Sequence, residues 1–105
     1  MTDDDQRLIA LAKANETRHL RAELKRDLRT GRVPLEQLLL SPPEWLRTQE
    51  VYAMLLALPR VGHRTALDAM SRAEVPLSVT FGRLTVSWRR RLLAELSRTV
   101  ARRWL

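Results

Sequence analysis

The sequence predicts an all-α fold, on three observations. No Gly or Pro interrupts residues 5–30, so one long helix leads the chain. Elsewhere Pro and Gly fall where they divide the chain into short segments with apolar residues at helical spacing. No pair of alternating segments flanks a hairpin turn, and no internal repeat is visible.

Each element has its own justification. Asp3, Asp4 and Asp5 suit the start of the first helix, where the dipole favours anions and Asp caps free N–H groups. Gly31 suits its stop. Such a helix is roughly 35–40 Å long at ~1.5 Å per residue. Leu20, Leu24 and Leu28 recur at i+4 and mark a packing face, whereas the first half, with Leu8 and Leu11, is Ala-rich, weakly patterned and free to project from the body. Pro34 opens a second helix over 35–40, and Ser41-Pro42-Pro43 breaks it. Residues 44–47 read as a single turn that tucks Trp45 and Leu46 inward. Thr48 is placed to cap a third helix over 49–58, apolar nearly all round and therefore central. Pro59 ends it. A fourth helix runs from about 64 to 73, with Ala66, Leu67, Ala69 and Met70 as its core side. Residues 75–84 contain β-branched side chains but lie between helices and read as a loop. Thr85 caps a last helix over about 86–103, with Trp88, Leu92, Leu96, Val100 and Trp104 along its apolar seam. Residues 1–31 thus form the long helix, and residues 32–105 a compact domain.

Charge narrows the function. The chain has 105 residues, 19 Lys+Arg against 12 Asp+Glu, and a net charge of +7. Residues 1–50 hold nine cations and nine acids; residues 51–105 hold ten Arg and three acids, so the whole excess lies in the second half. That pattern points to an anionic partner. Seventeen of the cations are Arg, whose planar fork grips phosphate in two places, although a GC-rich genome also enriches Arg. On the first helix, Arg18, Arg21, Lys25 and Arg29 follow spacings that line one face, away from the leucines. Hydrophobic residues make up 45%, which excludes a disordered polycation. Zero cysteine excludes disulfides, thiolate catalysis and the common structural zinc sites. The longest uncharged run, 51–59, is too short to span a membrane, and the acidic N-terminus is unlike a signal peptide, so a cytoplasmic protein is expected.

One motif carries chemistry. Residues 55–70 read as a helix, the tight turn Pro59-Arg60-Val61-Gly62, and a second helix. This resembles the helix-hairpin-helix pattern, whose turn usually reads Pro-Gly-Val-Gly. A helix start exposes unpaired N–H groups and a partial positive charge, which together favour a phosphate. Gly62 permits a tight turn and a close backbone approach. Val61 plugs the hairpin into the core, and His63, Arg64 and Thr65 add side-chain contacts. Contacts of this kind position a nucleic-acid backbone without reading its sequence. Arg60 departs from the usual Gly, and there the chain is expected to take a conformation acceptable to a side chain.

A wider resemblance follows. Arg21-Ala22-Glu23-Leu24-Lys25, together with Val51-x-Ala53-x-Leu55-Leu56-x-Leu58-Pro59-x-Val61-Gly62, resembles the actinobacterial integration host factor family over roughly residues 5–96. The resemblance implies a helix-two-turn-helix-like domain behind a long leading helix. It implies a nucleoid-associated protein that binds duplex DNA with little sequence preference; independently of the resemblance, a monomer without cofactor or metal is expected. Such a protein compacts or bends the duplex and assists integrase–DNA complexes. The implied contacts are Pro59 to Thr65 at the hairpin, cations at Arg83, Arg89 and Arg90, and a second surface at Arg21, Lys25 and Arg29. The family's loop before the last helix reads like Arg-Arg-Leu-Arg-Gly-Leu-Gly. Here Val79-Thr80-Phe81-Gly82-Arg83-Leu84-Thr85 retains only one of those cations. Residues 97–105 run past the usual end and add Arg98, Arg102 and Arg103. These departures imply a divergent relative, an accessory paralogue or a copy carried by a phage.

Two other classes compete. Ribosomal helix-two-turn-helix proteins bind RNA, but only five aromatics are present, and Trp45, Tyr52, Phe81 and Trp88 read as packing residues rather than a base-stacking surface. The basic last helix, ending in Trp104-Leu105, has the composition of a membrane-surface helix, although its leucines serve more simply as a docking seam. An enzyme is not expected: His19 and His63 are the only histidines, and no carboxylates stand at catalytic or ligand spacing beside them.

Overall fold

The computed structural model describes residues 2–105 and is all-helical apart from one short backbone pairing. Helix α1 spans Asp3–Thr30, α2 Leu35–Leu40, α3 Val51–Leu55, α4 His63–Arg72 and α5 Val86–Leu96. Single 3₁₀ turns occupy Glu44–Leu46, Phe81–Arg83 and Arg102–Trp104.

The cap of α1 is Thr2 rather than an aspartate. The Asp5 N–H donates to the Thr2 hydroxyl, and the Thr2 N–H donates to the Asp5 carboxylate, both at 3.3 Å. This reciprocal pair satisfies two otherwise unpartnered donors. Gly31 closes the helix at φ 76°, the left-handed region where a side chain is costly. Leu24 and Leu28 reach the core and Leu20 is half-buried, whereas Leu8 and Leu11 remain 65% and 56% exposed. The upper half of α1 therefore projects, and the molecule measures 53 × 26 × 23 Å.

One core unites the rest. Leu28, Leu35, Leu46, Val51, Met54, Leu55, Met70, Leu92 and Leu96 are fully enclosed. Pro34 and the Ser41-Pro42-Pro43 break set α2 at its expected bounds. The first correction concerns α3, which is half its expected length. Residues 49–51 are taken up by an antiparallel pairing with 79–81: the Val51 N–H donates to the Val79 carbonyl and the Phe81 N–H to the Gln49 carbonyl, each at 3.0 Å. Thr48 therefore caps nothing, and Glu50 precedes the helix in extended conformation. Downstream, the Ala57 and Leu58 N–H groups bond three residues back, a tightened turn that ends α3 before Pro59. The β-branched residues of 75–84 thus have a partner, one that local pattern does not reveal.

Two further expectations fail. Leu67 faces outward, 42% exposed, while Ala66, Ala69 and Met70 form the buried side of α4. Helix α5 stops at Leu96, seven residues short. Beyond it the chain folds back: Val100 is buried, the Trp104 ring packs on Gly31, and the Glu36 N–H donates to the Leu105 carbonyl at 2.6 Å. A Cβ on Gly31 would lie 2.6 Å from that ring, so this glycine serves both the helix end and the seat for Trp104.

The unequal packing of α1 predicts unequal sensitivity. Leu28→Ala should cost about 2–5 kcal/mol, the range for enclosed leucines. Leu8→Ala should stay within about 0.5 kcal/mol, as for exposed sites. Urea denaturation of both variants measures the difference, and equal losses would contradict a projecting N-terminal half.

Candidate nucleic-acid interface

The hairpin is built by a turn over Leu58, Pro59, Arg60 and Val61. The Val61 N–H donates to the Leu58 carbonyl at 3.2 Å, Pro59 occupies the second position, and Arg60 the third at φ 63°. Those are the marks of a type II turn, whose third position favours glycine. Arg60 therefore does not find a conformation ordinary for a side chain, contrary to expectation. It adopts the glycine conformation and carries the strain, because Pro59 and buried Val61 fix the chain on either side.

Gly62 also behaves otherwise than expected. Its φ of −93° and ψ of −177° are open to any residue, and a Cβ there would meet no atom within 4 Å. The turn does not need this glycine; its missing side chain leaves space in front of α4. That space faces a helix end without a side-chain cap, unlike α1 and α5, which Thr2 and Thr85 cap. The first intrahelical bond is from the Ala66 N–H to the Gly62 carbonyl at 3.0 Å, so the N–H groups of His63, Arg64 and Thr65 have no helical acceptor. The dipole of α4 adds positive potential there.

Side chains surround those donors. His63 and Arg64 are exposed and Thr65 is half-buried. Tyr52, read from sequence as a packing residue, shares a 2.7 Å hydrogen bond with His63 Nδ1, with the rings 6.0 Å apart. When the hydroxyl donates, the ring proton sits on Nε2, leaving a donor on the free edge of the imidazole. Tyr52 thus holds the His63 ring, a contact that sequence reading missed; the available signal was a lone hydroxyl in an otherwise apolar α3.

The other cations divide into two groups. Arg83 and Arg89 each line a surface cleft with Arg47, another residue the sequence reading missed. Gly82 holds this loop down: its N–H donates to the Arg47 carbonyl at 3.0 Å, and a Cβ would come within 3.1 Å of that oxygen. Arg90 is exposed on α5. Arg91, by contrast, is structural, donating to the Ala73 carbonyl at 2.8 Å. Along α1, Arg18, Lys25 and Arg29 are exposed, whereas Arg21 is half-buried with its Nε enclosed and unpartnered. Among the described residues, Arg60, Arg64, Arg83, Arg89 and Arg90 form no ion pair. No three His, Asp or Glu side chains among the described residues gather as a metal site.

Fold and site together define an all-α helix-hairpin-helix protein with unpaired cations around an open helix start. Comparison with known proteins specifies it further. The chain is 42% identical over 74 residues to the integration host factors of Mycolicibacterium smegmatis and Mycobacterium tuberculosis, matching 69% of this chain and 70% of each relative. It belongs to the integration host factor family. A solved structure of sIHF bound to an 8-bp palindromic DNA superposes with a TM-score of 0.74 at 27% identity, covering 80% of this chain and 97% of that one. No family model matches.

The strain at Arg60 yields a stability test. Arg60→Gly should raise stability by about 0.5–1 kcal/mol, since relief of the ~1–2 kcal/mol left-handed penalty is partly offset by glycine's freedom in the unfolded chain. Gly62→Ala should change stability by less than about 0.5 kcal/mol, because the reduced freedom of the unfolded chain is offset by alanine's poorer fit at a helix N-cap. Paired urea melts check both; a destabilised Arg60→Gly protein would refute the turn assignment.

Proposed function

We propose that this chain is an architectural protein that binds duplex DNA through its phosphate backbone, associates with the nucleoid, bends or compacts DNA, and assists site-specific integration. The observation that carries the reading is the uncapped start of α4, where three unpartnered N–H groups lie behind a glycine that leaves room for a close approach. Its relatives support it: the curated ones are integration host factors, and the solved sIHF structure holds DNA.

The chemistry is electrostatic. A phosphate accepts from the N–H groups of His63, Arg64 and Thr65, with the α4 dipole aligned to favour the charge. Arg60, Arg64 and His63 supply side-chain donors around it, and Pro59 and Val61 hold the turn. Arg83, Arg89 and Arg90 contribute a second group of contacts together with Arg47, and Arg21, Lys25 and Arg29 a third along α1. Backbone contacts of this type carry no sequence preference. Cations in separate groups reach phosphates far apart along the duplex, and curving DNA toward them is how such a protein bends it.

Two measurements follow. Binding of a duplex oligonucleotide should weaken steeply with salt, log K falling by about 0.9 per log unit of salt for each phosphate neutralised. A flat response, or preference for structured RNA over duplex, would contradict the reading. Gly62→Val should fold normally yet lose about tenfold in affinity, roughly 1.4 kcal/mol, because its branched side chain fills the space before α4. Full affinity in this variant would remove the hairpin from the interface.

A further inference from the structure

The chain beyond α5 brings another cation to the hairpin. Burial of Val100, the Trp104 ring on Gly31, and the Glu36 N–H bond to the Leu105 carbonyl fix this segment in place. Within it, the Arg103 guanidinium lies over the Trp104 ring, 4.7 Å from the centroid. An arginine stacked on a pinned ring loses less freedom when it binds.

Arg103 and Arg60 line one open cleft of about 300 Å³, together with Pro59, Thr99 and Trp104. No acid lines this cleft, and neither arginine has an ion-pair partner among the described residues. Two like charges on one cleft raise its positive potential, and no acid among the described residues pairs with either. Arg60 also keeps its side chain at a backbone position where glycine would be unstrained, a cost that makes sense when the guanidinium has a task.

We propose that the cleft between hairpin and C-terminal segment is a phosphodiester-binding site, in which Arg60 and Arg103 grip the DNA backbone beside the phosphate held at the start of α4. The site rests on the duplex-binding reading above and extends it to a residue of the segment after α5.

The test is duplex titration over a salt series with the full chain and three variants. Arg103→Gln removes one of the two cleft cations but leaves Trp104 on Gly31. Arg7→Gln removes the same charge from the projecting part of α1. Arg103→Lys keeps the charge. The salt slope of Arg103→Gln should fall by about one, the mark of one lost phosphate contact. Arg103→Lys and Arg7→Gln should keep it, and unchanged urea midpoints confirm that each variant is folded. An unchanged slope in Arg103→Gln, or an equal loss in Arg7→Gln, overturns the cleft while leaving duplex binding in place. A wild-type chain that fails to bind the duplex overturns both. Should Arg103→Gln fail to fold, loss of slope in Arg103→Ala relative to Arg103→Lys decides the matter, and equal slopes overturn the site.

Discussion

The turn over Leu58 to Val61 sets the geometry on which the surface depends. Its single closing bond, from the Val61 N–H to the Leu58 carbonyl, reverses the chain between α3 and α4. Val61 is thereby buried, and α4 begins immediately afterwards without a capping side chain. The same turn forces Arg60 into a left-handed conformation. Strain at one residue and unsatisfied donors at the next few are costs that a purely structural corner would shed by evolving a glycine and a cap. Both would become useful if an anion completes the site, as proposed above.

Much of the fold is legible locally because its punctuation is local. The absence of Gly and Pro before Gly31 defines α1, and Pro34 with Ser41-Pro42-Pro43 defines α2. What escapes is settled by distant partners. Helix α3 starts late because residues 49–51 pair with 79–81, thirty positions away. The last helix ends early because Trp104 finds Gly31, at the far end of α1. Leu67 has helical spacing for the core but no neighbour to cover it. Periodicity identifies which residues are able to pack, and only tertiary placement decides which do.

The site shows the same division. The Pro59–Thr65 motif marks the hairpin in the sequence, yet the roles of its two key positions are exchanged in the structure. Arg60 takes the conformation reserved for glycine, and Gly62 takes one that any residue can adopt. Tyr52 and Arg47 were invisible because each acts through a partner remote in sequence, His63 in one case and the Phe81–Arg83 turn in the other. The charge asymmetry likewise gains a physical meaning. The Arg-rich second half supplies the hairpin cations together with Arg83 and Arg89, while residues 1–50, neutral overall, still present Arg18, Lys25 and Arg29 exposed on α1.

Backbone amide NMR during titration with a short duplex tests the central claim most directly. Bonds from N–H groups to phosphate shift those amide resonances more than a diffuse counter-ion atmosphere does. The largest changes are predicted at Gly62, His63, Arg64 and Thr65, with the projecting residues at the start of α1 little affected. Unchanged amides at 62–65, with the main shifts confined to other helices, would contradict a hairpin that grips DNA through its backbone.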